Sequence, residues 1–183
     1  MVTVFLADGF EEIEACTPID ILRRGGVEVC VCSISDSLKV TGAHGIVFYA
    51  DTTLSRLQGE EDMILLPGGM PGTLRLKESE ALKERILRHR EKGGLFAAIC
   101  AAPTVLGAHG ILQGRRATCY PGMESELNCL QAVDAPVVVS EDCITSRGAG
   151  TAFLFSLRIL ERLKGKEAAL SLARSMCFEE DLG

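Results

Sequence analysis

The feature that most constrains the fold of this chain is the alternation of short, almost entirely apolar runs with longer amphipathic runs. The short runs predict buried strands and the long ones predict helices, because side chains return to one face every second residue in a strand and about every 3.6 residues in a helix. The predicted strands are 2–7, 27–33, 63–66, 95–99, 117–120 and 137–140, with a hairpin over 39–49. The predicted helices are 11–24, 79–92, 103–109, 151–163 and 166–176.

Strands that are apolar on both sides must be covered on both faces, and a chain that alternates strand and helix achieves this with parallel strands. The sequence therefore predicts an α/β fold, a doubly wound sandwich with a mostly parallel central sheet flanked by helices. Ligand sites in such sheets lie beyond the carboxyl ends of the strands. The segments of interest follow Ala7, Leu66, Ile99 and Tyr120.

Length and charge limit the classes of partner. A chain of 183 residues fits one hydrophobic core, so a single domain over 1–183 is expected. The net charge of −6, with basic residues that alternate with acids as in 77–92, excludes a nucleic-acid partner. No apolar run reaches membrane-spanning length and the first residues lack the basic lead of a signal peptide, so we expect a cytoplasmic protein with no membrane partner.

Eight cysteines are present, and in a cytoplasmic chain they are expected to be reduced thiols. Cys30 and Cys32 share one face of a predicted strand, but no second pair or histidine follows at the spacing of a zinc site. The sequence thus predicts no metal, and most of the cysteines are interpreted as small buried hydrophobic residues.

Cys100 differs from the other cysteines because it joins a predicted strand directly to a predicted helix. Ala98 and Ala102 flank it at the two positions that a sharp turn brings together, and Pro103 suits the first turn of a helix. The pattern is that of a nucleophile elbow, and a helix N-terminus favours a thiolate, so a thiol more acidic than free cysteine is expected. A buried core thiol is the alternative, but it does not explain this order of residues.

Two neighbouring segments supply candidate partners for Cys100. The glycine-rich turn 67–72 follows another strand, and the unobstructed amides of Gly68 and Gly69, with that of Ala101, are candidates to bind an oxyanion. Glu14 lies at the first strand-to-helix junction between apolar residues, so its pKa is expected to be raised and its carboxyl group to move a proton. The glycine turn lacks the Lys-Ser/Thr of a phosphate loop, and the predicted chemistry uses no cofactor.

The three histidines are not placed beside Cys100 in the sequence pattern. His44 lies in the predicted hairpin, His89 on a charged helix, and His109 at the end of the helix after the cysteine. A cysteine peptidase needs an imidazole within reach of the thiol, so peptidase or amidase chemistry is disfavoured without being excluded.

With these motifs in place, the chain resembles the ThiJ/PfpI superfamily, and more closely its YajL-like branch of Parkinson-disease-protein-like cysteine proteins. The resemblance spans essentially the whole chain. Its motifs are 8–15, 18–20, 23–26, 66–69, 97–103 and 148–152.

The resemblance implies a flavodoxin-like homodimer in which Cys100 is a reactive, oxidation-prone thiol and Glu14 is its protonated hydrogen-bond partner. Gly69 and Ala101 match the oxyanion-binding positions. Ala101 replaces a histidine that peptidase-like relatives carry after the cysteine, and Tyr120 before Pro121 replaces a histidine of the human-type relatives.

Several activities are consistent with this resemblance. The leading hypothesis is an enzyme that acts on α-oxoaldehydes, a glyoxalase or a deglycase, with a small aldehyde or a glycated protein as substrate. The first alternative is a non-catalytic sensor of oxidative stress or redox-regulated chaperone, in which Cys100 is oxidised to a sulfinate. A cysteine amidase or peptidase, or a protein of thiamine-thiazole biosynthesis, is a further alternative.

Overall fold

A computed structural model describes residues 1–178, and residues 179–183 of the predicted domain lie outside the described part. Residues 1–178 form eleven strands: β1 (Val2–Leu6), β2 (Val29–Ser33), β3 (Lys39–Thr41), β4 (Val47–Tyr49), β5 (Thr52–Thr53), β6 (Met63–Leu66), β7 (Leu95–Ile99), β8 (Arg116–Ala117), β9 (Gln131–Ala132), β10 (Val137–Ser140) and β11 (Cys143–Ser146). The same residues form six α-helices: α1 (Glu12–Arg24), α2 (Gly72–Glu78), α3 (Glu80–Glu91), α4 (Pro103–Ala108), α5 (Ala152–Lys164) and α6 (Lys166–Ser175).

The main sheet has seven strands in the order β10-β11-β7-β6-β1-β2-β5. Every neighbouring pair is parallel except β10 and β11, which are antiparallel. The inner order β2-β1-β6-β7-β11 is the 2-1-3-4-5 order of flavodoxin-like sheets. The predicted doubly wound sandwich with a mostly parallel sheet is confirmed.

Two hydrophobic cores lie on opposite faces of this sheet. Successive side chains of a strand point to opposite faces, so Val4 and Leu6 of β1 pack in one core and Phe5 packs in the other. Helices α1, α5 and α6 cover the first face through Leu22, Leu157 and Ala169. Helices α2, α3 and α4 cover the second through Leu76, Leu82 and Val105.

Helix α1 is built so that it delivers Glu14 to the carboxyl edge of the sheet. The Glu11 carboxylate accepts a hydrogen bond of 2.7 Å from the Glu14 amide and so caps the helix, a contribution of about 1 kcal/mol for such caps. The helix continues through Pro18 and ends before Gly25, and Gly26 adopts a φ of +71°. Pro18 lies inside the helix and does not interrupt it.

The structure corrects some element boundaries. The predicted strand 117–120 is reduced to β8, which pairs with β9 in a separate two-stranded sheet. Beyond it the chain crosses the carboxyl edge of the main sheet, because the Thr118 amide donates to Thr145 Oγ1 and the Tyr120 amide donates to the Cys100 carbonyl. Strand β11 and helix α2 were not predicted. The hairpin over 39–49 is confirmed as β3 and β4.

None of the helices in the described residues is both long and apolar enough to cross a membrane.

Candidate active site

Cys100 occupies a strained turn between β7 and α4. Its φ of +65° lies in the left-handed region, which costs a residue with a side chain roughly 1–2 kcal/mol. The Cys100 amide donates to the Ser146 carbonyl at 2.9 Å, and its carbonyl accepts from the Tyr120 amide at 2.8 Å. Ala98 and Ala102 are fully buried on either side. The predicted elbow is therefore present, with Ser146 as a support that the sequence analysis missed.

The carboxyl group of Glu14 meets the thiol of Cys100 behind this turn. Glu14 is 1% exposed, and its Oε2 accepts a hydrogen bond of 2.9 Å from the Gly68 amide. Its carboxyl group lies close enough to the Cys100 thiol for each group to shift the pKa of the other. The ends of β1, β6 and β7 thus bring together three segments that the sequence analysis singled out.

Gly68 allows the thiol and the carboxyl group to approach each other. A Cβ at this position would lie 2.6 Å from Glu14 Oε2 and 2.7 Å from the Cys100 Cβ, distances that real Cβ atoms do not show. Its amide was also predicted to bind an oxyanion, and the structure corrects that prediction. Because the amide already donates to Glu14, it positions the carboxyl group.

Gly69 and Ala101 are placed differently from Gly68. Both line the cavity beside Cys100, and their backbone amides lower the pKa of its thiol, which favours the thiolate. Gly69 adopts a φ of +91°, and a Cβ there would lie 2.3 Å from the Glu11 nitrogen. An oxygen that develops on a carbon attached to the sulfur would therefore lie near two donors.

Burial has the largest effect on the pKa of Glu14. It raises the pKa of the carboxyl group to about 7, the charge of Glu11 adds to the increase, and hydrogen bonds from Cys100, Gly68 and Ala149 oppose it. The predicted direction of this shift is confirmed.

For Cys100 the predicted direction is wrong. Burial, followed by the charge of Glu14 and the hydrogen bond with it, raises the pKa of the thiol to about 12, and the amides of Ala101 and Gly69 only partly offset this. The helix after the cysteine has six residues and begins at Pro103, so its dipole is small and lies beyond the sulfur. When Glu14 is protonated its charge no longer opposes the thiolate.

A cavity of about 410 Å³ opens above the sulfur. Its reactive end is formed by Cys100 with Gly69 and Ala101, and its walls by Met70, Tyr120 and Met123. The sequence analysis noted Tyr120 as a departure from relatives but did not place these three side chains together. They come from two loops that follow different strands. The only feature of the sequence that could have identified them is that each loop follows the end of a predicted strand.

None of the histidines lines this cavity in the described part of the chain. His44 Nδ1 lies 2.8 Å from Glu12, and His89 Nε2 lies 2.9 Å from the Leu95 carbonyl. His109 follows the last residue of α4. The arrangement gives no support to a cysteine–histidine peptidase.

One group of side chains has the composition of a metal site. Ligand-type atoms of Glu11, Glu12 and His44 lie within 4.8 Å of one another. Glu12 Oε1 already accepts from the His44 amide at 2.7 Å, and Glu11 Oε2 accepts from the Glu14 amide. The Glu12 carboxylate holds α1 against the β3–β4 hairpin, and the Glu11 carboxylate caps α1.

The fold and the site define a doubly wound α/β protein with a cysteine at a strand-to-helix elbow. The model of the DJ-1/PfpI family matches residues 1–162, and the chain belongs to that family. The resemblance predicted from the motifs is confirmed.

Individual relatives agree with this assignment. The chain is 40% identical over its whole length to Protein DJ-1 homolog B of Arabidopsis thaliana, of which it spans 42%. It is 39% identical to the glutathione-independent glyoxalase DJR-1.2 of Caenorhabditis elegans, over 92% of this chain and 90% of the relative. Among solved structures, oxidized Toxoplasma gondii DJ-1 is similar with a TM-score of 0.94 and 39% identity over 98% of both chains.

Proposed function

We propose that this protein is a cofactor-independent glyoxalase that converts α-oxoaldehydes to 2-hydroxy acids. The observation that carries the proposal is the partly buried thiol of Cys100 at the floor of a cavity, with the buried carboxyl group of Glu14 behind it and the Gly69 and Ala101 backbone beside it. A relative named as a glutathione-independent glyoxalase supports it. The same chemistry extends to a deglycase, in which the aldehyde is already attached to a protein side chain.

The reaction starts with Glu14 ionised and Cys100 protonated. Glu14 accepts the thiol proton as the sulfur attacks the aldehyde carbon, and the Gly69 and Ala101 amides bind the oxyanion until Glu14 returns the proton. The product is a hemithioacetal. This step forms one C–S bond and converts the C=O double bond to a single bond.

Isomerisation follows on the same carboxylate. Glu14 removes the proton from the former aldehyde carbon and delivers it to the neighbouring ketone carbon, while the hydroxyl proton passes to the ketone oxygen. The first carbon is oxidised to a thioester and the second is reduced to an alcohol. Water then hydrolyses the thioester to the 2-hydroxy acid and restores the thiol, so water is the only co-reactant.

Formation of lactate from methylglyoxal tests the proposal. Cys100→Ser and Glu14→Gln should each lower kcat/KM at least about 100-fold, because one removes the nucleophile and the other the base. Cys16→Ser is the matched control, since Cys16 is an exposed thiol on α1 outside the cavity. Unchanged turnover in either site variant would reject the mechanism.

A redox function is the second candidate, because a protonated Glu14 carboxyl group beside Cys100 can donate a hydrogen bond to a sulfinate on that sulfur. The solved structure of an oxidized relative favours this reading. Mild peroxide should then add two oxygens to Cys100 before it oxidises Cys16 or Cys119, as measured by mass spectrometry of peptides. Oxidation spread over the eight thiols would exclude a dedicated sensor, with or without chaperone activity.

We also propose that two copies of the chain form a homodimer through α1 and the β3–β4 hairpin. Exposed apolar side chains lie on these adjoining elements, with exposures of 53% for Ile13, 56% for Ile46, 41% for Val47 and 75% for Tyr49. Such side chains favour burial against a second copy. Light scattering should give twice the chain mass, and Tyr49→Glu should shift it towards the monomer; a monomeric parent protein would contradict the proposal.

A cytoplasmic location is proposed on the basis of the cysteines. All eight, from Cys16 to Cys177, are free thiols, as a reducing compartment requires. Fluorescence imaging of the full chain with a C-terminal tag tests this location, and signal confined to an oxidising compartment would overturn it.

A further inference from the structure

We infer that the cavity above Cys100 selects carbonyl compounds whose substituent is bulky, apolar and uncharged, such as an aryl group. The inference rests on the proposed function for its reaction, and it adds the class of substrate. The inference depends on the side chains that form the walls of the cavity, Met70, Tyr120 and Met123. The mechanism depends on Cys100 and Glu14.

The walls present apolar surface that nothing in the described structure covers. Met70 is 49% exposed and Tyr120 is 53% exposed, and both line the cavity with Met123. Burial of apolar surface contributes about 25 cal/mol per Å², so a ligand that covers these side chains gains affinity in proportion to its own apolar area. A hydrogen atom or a methyl group covers little of them.

The lining offers no partner to a charged substituent. Within residues 1–178 the side chains that line the cavity carry no formal charge at neutral pH. Glu14, the acid beside the sulfur, is 1% exposed and already accepts a hydrogen bond from the Gly68 amide. A carboxylate on the substrate would therefore lose hydration without gaining an ion pair.

The size of the cavity exceeds what small oxoaldehydes require. Its volume is about 410 Å³, whereas a cavity of roughly 150 Å³ holds a benzene ring. An oxoaldehyde group at the sulfur therefore leaves room for an aryl ring between the walls.

Tyr120 is coupled to the nucleophile through the backbone. Its amide donates to the Cys100 carbonyl at 2.8 Å, and its ring lies 3.7 Å from the position that a Cβ on Gly148 would take. The backbone of Tyr120 is thus anchored to that of Cys100, and its half-exposed ring is available to stack on a substrate ring. The two methionines are flexible and adapt to the shape of the remaining substituent.

Competition among oxoaldehydes tests the inference through catalysis. The ratio of kcat/KM for phenylglyoxal to that for glyoxal should exceed 10, and Tyr120→Ala and Met123→Ala should each lower this ratio about 10-fold. Because each variant is compared with the parent protein, differences in the intrinsic reactivity of the two aldehydes cancel. Leu130→Ala is the control, since Leu130 is 70% exposed outside the lining and its loss should leave the ratio unchanged.

Alkylation of Cys100 provides a readout that does not need turnover. The rate with N-phenyl iodoacetamide relative to iodoacetate should fall about 10-fold in Met123→Ala and stay constant in Leu130→Ala. If no oxoaldehyde is turned over but this selectivity persists, the proposed function fails and the preference of the cavity stands. If glyoxal is turned over at least as well as phenylglyoxal, or if neither wall variant changes either ratio, the inference is overturned.

Discussion

At the scale of single residues, the site depends on the protons held by a buried carboxyl group and a partly buried thiol. Burial raises the pKa of Glu14 to about 7 and that of Cys100 to about 12, so above neutral pH a carboxylate lies beside a thiol that keeps its proton. A base with a pKa near the working pH combines availability with proton affinity. Glu14 is therefore better suited to accept the thiol proton during attack than to remain a permanent donor.

The pH dependence of activity should report this titration. In the parent protein kcat/KM for methylglyoxal should rise with pH and level off above about 7, because only ionised Glu14 accepts the thiol proton. Glu14→Gln should remove this rise and leave a flat, low profile. Rates measured from pH 5 to 9 in buffers of constant ionic strength decide the matter, and an inflection that persists in the glutamine variant would assign the titration to another group.

The free energy of unfolding should also depend on the titration of Glu14, but it should fall with rising pH where activity rises. The pKa of Glu14 is raised by folding, so its contribution to stability is present below the ordinary pKa of about 4.5 and is lost as pH rises through about 7. The free energy of unfolding of Glu14→Gln, relative to that of the parent protein, should therefore increase by about 3 kcal/mol between pH 4.5 and pH 8. Urea unfolding at both pH values measures this gain. Glu84→Gln, at an exposed position on α3, should show no such trend.

At the scale of elements, the sequence predicted the observed strand or helix where all residues of a segment follow one apolar pattern. Strands β6, β7 and β10 were predicted with their observed bounds, because each is a short apolar run with clear ends. Strand β11 was missed because Thr145 and Ser146 make it look polar, although all four of its residues are buried. Helix α2 was missed because its first residue, Gly72, is also the last residue of the glycine-rich turn 67–72.

The same distinction holds for the site. Cys100, Glu14, Gly69 and Ala101 were predicted because each lies in a local motif at a strand end. The sequence could not predict which backbone amide hydrogen-bonds to which group. The Gly68 amide donates to Glu14, and that pairing depends on the register of β1 and β6 in the sheet. Non-local packing also determined the raised pKa of Cys100.

Substitution of Gly68, in the turn after β6, tests the close approach of Cys100 and Glu14. In Gly68→Ala the new Cβ would collide with the backbone-anchored Cβ of Cys100 and with Glu14, so the pair must separate. Activity on methylglyoxal should fall at least about 100-fold, since small displacements of reacting groups have effects of this size. Gly150→Ala is the control, because its Cβ would meet no atom within 4 Å. Equal activity in both variants would show that the close contact at Gly68 is dispensable.

At the scale of the whole molecule, the strand order brings the site together. Strands β1, β6 and β7 are consecutive neighbours and run parallel, so their carboxyl ends deliver Glu14, Gly69 and Cys100 to one edge. The sequence predicted a parallel sheet but not this order, because the order depends on the path of each crossover. The two cores share these strands, and we therefore propose that residues 1–183 form a single cooperative domain.

Two adjacent leucines of β6 test this cooperativity. Leu65 packs in the core beneath α1, α5 and α6, whereas Leu66 packs in the core beneath α2, α3 and α4, and both are fully buried. Leu65→Ala and Leu66→Ala should each lower the free energy of unfolding by about 2–5 kcal/mol with the same dependence on urea. Circular dichroism and thiol accessibility should give coincident transitions in both variants, because loss of either core removes the sheet that supports the other. Separate transitions for the two probes, or a variant that unfolds only one face, would divide the chain into two units.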